Sequence, residues 1–394
     1  MAIQTGEHRY RREIELPERV GALLRPLLVD EIQRHRAISD LLAYSLITRD
    51  GSGGSVTVHR LVQAVTADRL TAANESSAWI IAAANLLDAV CPHPPATVKT
   101  TTAWRSLQTH LSSLLDHLDL HQSITLRLRD TLAEWTRETG DVLRARDLYT
   151  ALVEDMTHFL GPNERATLIA RNNHARCTGE TGDVAGAREL CTSVVKDMTH
   201  SLGPDDRATL IARSHLAWWT GESGDVARAR ELAVSVAHGT ERAFGADDQD
   251  SMVTRRYVAY WTARAGDAEK ARDLYTTLVE DTLRVLGPDH KETLIAKAEL
   301  ARWTAKAGDP RRAQELAAAL VEDLTKMLNL DERDTLLARA TLAYWTDNTD
   351  DFERARELYT TLVQDDEQLL DPDDRKILIG RASLAYWTKK MPQN

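Results

Sequence analysis

Long apolar stretches are missing from this chain of 394 residues. No run approaches the ~18 consecutive apolar residues that a membrane-spanning helix needs, and no leader with a basic start and an apolar middle is present. Neither a membrane span nor secretion is expected. Cysteine is scarce, with three residues at 91, 177 and 191 that share no metal-ligand or redox spacing. They read as small buried apolar residues in a reducing cytoplasm. A basic excess is also missing. The formal net charge is −11, which argues against a nucleic-acid partner, because phosphate binding needs a basic face. His110, His117 and His121 lie close together, but no carboxylate or cysteine completes a metal set, so neither a metal nor a cofactor is expected. No nucleophile stands beside a base in a recognisable motif, and the chain is not expected to be an enzyme.

What the chain does have is a period. Trp219, Trp261, Trp303, Trp345 and Trp387 recur every 42 residues, and Trp135 and Cys177 extend the column backwards. Gly-Asp recurs at 140–141, 182–183, 224–225, 266–267 and 308–309. In the unit 205–246, Thr209-Leu210-Ile211-Ala212 and Leu216-Ala217-Trp218-Trp219 have helical spacing. Gly224 is suited to end that helix in a left-handed conformation, and Asp225 to cap the next one. Pro310, directly after Asp309, supports this, since proline is favoured at the first helical position. Each unit is therefore a helix–turn–helix that buries its apolar face against its neighbours.

These columns resemble the tetratricopeptide repeat in its longer, kinesin-light-chain-like form. The matching residues are Leu-Ala in the first helix (216–217, 300–301, 342–343, 384–385), Gly-Asp at the turn, and Leu-Gly-Pro-Asp between units (202–205, 286–289). The resemblance implies an all-α fold, a right-handed superhelical solenoid of helix pairs. Six full repeats and a terminal capping helix are expected over 125–394.

Before the repeats, helices through Leu23, Leu24, Leu27 and Leu28 and through Ile38, Leu41 and Leu42 precede two expected strands. These strands, Ser45–Thr48 and Ser55–Val58, flank the tip Asp50-Gly51-Ser52-Gly53-Gly54, and another helix follows with Leu61, Val62 and Val65. A winged-helix domain with a polar N-terminal arm is expected over 1–75, and a helical linker and cap over 76–124. Tyr44-Ser45-Leu46-Ile47 and Val58-His59-Arg60-Leu61-Val62-Gln63 resemble the winged-helix segment of NB-ARC-type STAND ATPases. The resemblance implies that His59 lies near a bound nucleotide's phosphate, as a sensor. The chain departs from that family in having no Gly-x-x-x-x-Gly-Lys-(Ser/Thr) loop. A nucleotide-binding domain would have to act on it in cis or in trans. The alternative is that His59 only caps the strand–helix junction.

In the tetratricopeptide family the residue after Leu-Ala faces the inner groove. Here that column is Arg176, Trp218, Tyr260, Arg302, Tyr344 and Tyr386, and the column four residues earlier begins Asn172, Ser214, Arg256. Aromatic and arginine side chains there could hold a peptide; the alternative is that the aromatics pack between helices. A basic column (Arg129, Arg171, Arg213, Arg255, Lys297, Arg339, Arg381) runs in phase with acids at 155, 197, 281, 323 and 365 and reads as an inter-repeat ion-pair ladder. Gly239 replaces one acid, so Arg255 and Arg256 are expected to be the unpaired basic residues, and the irregular stretch 233–257 is where ligand contact is expected. The leading expectation is a recognition module for a protein or peptide, the sensor and regulatory arm of a STAND-type switch. The alternative is a free-standing scaffold or accessory protein that binds a peptide or small molecule.

Overall fold

The computed structural model describes residues 16–49, 56–91, 98–119, 123–288 and 290–327. Fifteen α-helices and two strands lie among them, in the order α1–α2–β1–β2–α3 to α15. The chain divides into two compact units, residues 1–162 and 163–394. The terminal capping helix, Tyr344, Tyr386 and the hairpin tip at 50–55 lie outside the described residues.

In the first unit, α1 (Glu18–Val29) and α2 (Glu31–Ala43) are followed by β1 (Ile47–Arg49), β2 (Val56–Val58) and α3 (Arg60–Ala72). The strands pair antiparallel, with Ile47 opposite Val58 and Arg49 opposite Val56. They are two short strands, and the first begins later than its sequence suggested. Ser45 adopts a left-handed φ of 55°, and Ser45 N–H and Leu46 N–H donate back to the Leu42 and Leu41 carbonyls. Those two residues are spent on closing α2. Then come α4 (Ser76–Val90), α5 (Val98–Leu115), α6 (Ser123–Glu138) and α7 (Val142–Phe159). These four hold the unit's core, centred on Trp104, Leu111, Leu128 and Trp135. Trp104 and Trp135 stack with their rings 5.3 Å apart.

The second unit continues as α8 (Arg165–Glu180), α9 (Val184–Ser201), α10 (Arg207–Glu222), α11 (Val226–Phe244), α12 (Gln249–Arg264), α13 (Ala268–Val285), α14 (Lys291–Lys306) and α15 (Pro310–Met327). Each helix packs on the next, and α8, α10, α12 and α14 also pack on one another in a row. The turn inside each pair follows from two residues. Gly140, Gly182, Gly224, Gly266 and Gly308 take φ between 98° and 103°, which a side chain would strain. The aspartate after each then caps the next helix, accepting the N–H three residues on at 2.9–3.2 Å. The tryptophan column lies in the core, where Trp219, Trp261 and Trp303 are buried. Two glycines make room for it. A Cβ on Gly179 would overlap the Trp219 ring, and one on Gly221 would overlap that of Trp261.

Candidate partner-binding groove between α10 and α12

The basic column pairs as side chains 26 residues apart: Arg129 with Asp155, Arg171 with Asp197 (2.8 Å), Arg255 with Asp281 (2.7 Å) and Lys297 with Asp323 (2.7 Å). That step joins the first and second helices of one repeat, so the ladder runs within repeats and not between them. The expectation for Arg255 and Arg256 is overturned too, for Arg255 by the within-repeat step and for Arg256 by a bridge to the next repeat. Arg255 is held by Asp281, and Arg256 Nε donates to Glu292 at 2.9 Å. The position 26 residues before Gly239 is Arg213, and among the described residues Arg213 is the ladder cation with no acid partner. Contacts between repeats use other residues. Arg165 reaches Asp206 at 2.7 Å and Arg207 reaches Asp248 at 2.9 Å. Within repeats, Arg242 and Arg284 also reach back to Asp205 and Asp247 at 2.5 and 2.7 Å. Hydrogen bonds from Arg255 and Arg284 hold the Asp281 carboxyl below the usual carboxylate range.

Along the row of first helices, the interfaces differ. Between α8 and α10, His215 Nδ1 and Asn172 Oδ1 lie 3.1 Å apart in a hydrogen bond. Asn172 is therefore buried, at 4% exposure, and does not line an open wall. Between α12 and α14, the Arg256–Glu292 pair bridges the helices. Between α10 and α12 there is instead a cavity of about 150 Å³ beside a patch of aromatic rings.

The cavity floor is Leu210, Ser214, Thr240 and Thr254, all buried. Its walls include Ile211, Val253 and Tyr257, and Phe244 closes one end beneath the Arg207 guanidinium, 4.2 Å from the ring centre. Tyr257 also leads into the patch, because it lies 5.8 Å from Trp218. Trp218 stacks on Tyr260 at 5.0 Å, and both rings pack edge-on against buried Trp261. Arg264 ends the row, donating to the Tyr260 hydroxyl at 3.0 Å. Spacing explains the alignment: Arg207, Ile211, Ser214 and Trp218 recur at three or four residues and share one face of α10.

Trp218 and Tyr260 thus come together, half-buried, and serve packing as well as forming a surface. Arg302 is exposed on α14, 3.6 Å from Glu299, and Arg176 is half-buried on α8. Neither lines the α10–α12 cavity. His59 caps α3, accepting the Leu61 N–H on Nδ1 at 3.3 Å. Among the described residues, no group of three His, Cys, Asp or Glu side chains could hold a metal, and no helix is long and apolar enough to cross a membrane.

The residues that sequence reading missed are Thr240 and Thr254. Thr240 stands in a column with Met156, Met198 and Thr282, and Thr254 in one occupied by Ala170, Ala212 and Ala296. A hydroxyl at 254, where the neighbouring repeats carry alanine, was the available signal for the cavity.

Two family signatures match the chain. One is described as a domain of unknown function (DUF7779) and covers residues 21–75. The other, described as tetratricopeptide repeat, covers residues 209–250, the repeat that contributes α10 and α11. No curated protein matches. Among solved structures, a Rap protein complexed with competence and sporulation factor is similar at a TM-score of 0.54 and 12% identity, over 95% of this chain and 99% of that one. A signal transduction ATPase with numerous domains (STAND) from Pyrococcus horikoshii, which carries a tetratricopeptide repeat sensor, is similar at 0.53 and 12% identity. There the match covers 91% of this chain but only 55% of the other. The quorum sensor NprR from B. thuringiensis is similar at 0.51 and 11% identity, over 84% and 94%. At these identities the likeness is one of fold: the protein is built of tetratricopeptide-like helix pairs.

Proposed function

We propose that the protein is a non-enzymatic recognition module that holds a protein or peptide in the groove between α10 and α12. The observation that carries this reading is the Trp218–Tyr260 stack, continuous through Tyr257 with a cavity in the same groove. Large rings held by packing offer contact area at little entropic cost, which is why Trp, Tyr and Arg dominate binding hot spots. Arg176 and Arg302, with Tyr344 and Tyr386, would extend the surface along neighbouring repeats. The Rap protein, similar over nearly its whole length, was solved in complex with competence and sporulation factor, and this supports a binding use of the fold here.

We assign the module to the sensor arm of a STAND-type switch in the cytoplasm. On this reading the segment 1–75 is a winged helix, 76–124 a linker and cap, and 125–394 the sensor. A nucleotide-binding domain, in cis or in trans, would dock on the apolar side chains that α1–α3 leave exposed, among them Leu23, Ile32 and Leu61. His59 would then face that domain's nucleotide.

Selection from a displayed random peptide library tests the groove. The full chain should enrich a family of related peptides, and Trp218→Ala with Tyr260→Ala should weaken them at least tenfold while keeping the helical circular dichroism. If no family is enriched, or if the double variant binds it equally well, the groove is not the recognition surface.

A further inference from the structure

The cavity beneath the aromatic patch has a chemistry of its own. Its polar floor is already satisfied. The Thr240 and Thr254 hydroxyls share a hydrogen bond at 2.9 Å and lie 3.0 Å from the Ala237 and Ser251 carbonyls, so both of their protons are taken up within the protein. Ser214 Oγ donates to the Leu210 carbonyl at 3.2 Å. Arg207, at the rim, is neutralised by Asp248 and Asp250, and of the other polar residues that line the cavity Asp250 is held by Arg207 and His215 is hydrogen-bonded to Asn172. A polar or charged guest would lose its hydration and find no free partner on the floor, which is costly. An apolar guest loses nothing. A volume of about 150 Å³ accommodates a guest the size of benzene.

We infer that this cavity is the specificity pocket of the groove and that it receives one uncharged apolar side chain, of leucine or phenylalanine size, from an extended peptide. The inference rests on the groove reading above and adds the residue class that the groove selects. A peptide is the source and not a free small molecule, because the opening continues along Tyr257 to Trp218 and Tyr260. A benzene-sized molecule would fill the pocket and leave those rings uncovered. Two residues open the pocket. Thr240, like Thr282 in the next repeat, is short where Met156 and Met198 fill the core, and Gly239 allows Leu210 to lean toward α11, since a Cβ there would meet Leu210 Cδ2 at 2.9 Å.

Thr240→Met restores the residue of the two preceding repeats and should fill the pocket without disturbing the fold. Thr254→Ala, again a residue from neighbouring repeats, should widen it. The probes are N-acetyl amides of phenylalanine, leucine, lysine and glutamate, read by methyl-labelled spectra of the full chain at Leu210, Ile211 and Val253. The apolar amides should shift those methyls saturably and bind at least tenfold more tightly than the charged ones. Thr240→Met should abolish the shifts, and Thr254→Ala should move preference toward phenylalanine. Peptides selected on the native chain should carry one invariant apolar position and be lost in Thr240→Met. Equal response to charged amides, or shifts that persist in both variants, would overturn the pocket. If selected peptides survive Thr240→Met but not Trp218→Ala, the groove stands and the pocket is wrong. If amides bind but no peptide family is enriched, the peptide source is wrong.

Discussion

The helices of residues 16–72 run 12 or 13 residues and those of α8–α13 run 16 to 19, yet the difference in what they bury is far larger. Helix α10 buries nine residues, from Ala208 to Gly221, while α2 and α3 bury none and α1 buries only Val20 and Gly21. The difference is not one of apolar content. Leu23, Val29, Ile32 and Leu61 are each more than 60% exposed, whereas Trp261, which carries a polar ring N–H, is fully enclosed. A repeat supplies its own partner, because each unit's face is matched to the next copy of the same face. The N-terminal helices have no such copy among the described residues. Apolar patterning makes a helix; enclosure needs a second surface of the right shape.

The strongest way to break this comparison is to remove the same kind of side chain from both regions. Trp261→Ala should cost about 3–5 kcal/mol, the usual range for emptying a buried aromatic site, and should accelerate amide exchange in α12. Leu61→Ser should change stability by less than ~0.5 kcal/mol, while reducing binding of a dye that reports exposed apolar surface. Equal costs in melting experiments would show that α3 is enclosed after all. Gly221→Ala probes the same contact from its other side. Its added methyl would overlap the Trp261 ring, and overpacking of this kind costs roughly 1–3 kcal/mol. Trp261→Phe should recover part of that loss, and no recovery would mean that the ring is not what the methyl meets.

Cysteine reactivity sharpens the contrast without a mutation. Burial pushes the Cys191 thiol up to about 12 and, with the nearby Asp88 charge, the Cys91 thiol up to about 11. A one-unit difference is a tenfold difference in thiolate fraction. At pH 8 a thiol reagent should therefore label Cys91 about threefold faster than Cys191, since the less basic thiolate is also the weaker nucleophile, and both should react rapidly only after unfolding. Comparable rates in the native protein would place Cys191 in a less enclosed site than the repeat core.

Much of the repeat architecture was legible because its signals are local. Gly-Asp dictates a turn and a cap whatever surrounds it, and a strict 42-residue recurrence of Trp219, Trp261 and Trp303 marks a shared core position. The helices before the repeats were equally readable, but the start of β1 was not, because Ser45 and Leu46 were needed to close α2. The groove was legible only in part. Trp218 and Tyr260 fell on one column by counting, yet counting could not show that Asn172 turns inward to His215. Nor could it give the partner step of the ion-pair ladder. An acid in phase with a base says that two columns face one another, while the choice between the same repeat and the next depends on how the helices are set side by side.

That step carries the smallest and most discriminating prediction. If ladder pairs join residues 26 apart, as Arg255 and Asp281 do, then Gly239→Asp should create a pair with Arg213 and leave Arg255 unaffected. Part of the gain would come from replacing a helical glycine, and part would be opposed by the shift of Leu210, so the variant's total stability is a poor readout. A double-mutant cycle with Arg213→Ala isolates the pair and should give a coupling of about 0.5 kcal/mol, the scale of a partly exposed ion pair. The coupling should also depend on pH in one direction. A carboxyl paired as Asp281 is has its folded pKa depressed. Its contribution is therefore complete above the unfolded value near ~4 and disappears as pH falls through the lower folded one. Coupling measured at neutral pH should vanish in acid. If it persists there, or if the introduced carboxylate couples to Arg255→Ala as strongly as to Arg213→Ala, the ladder does not run within repeats and Arg213 is not its open rung.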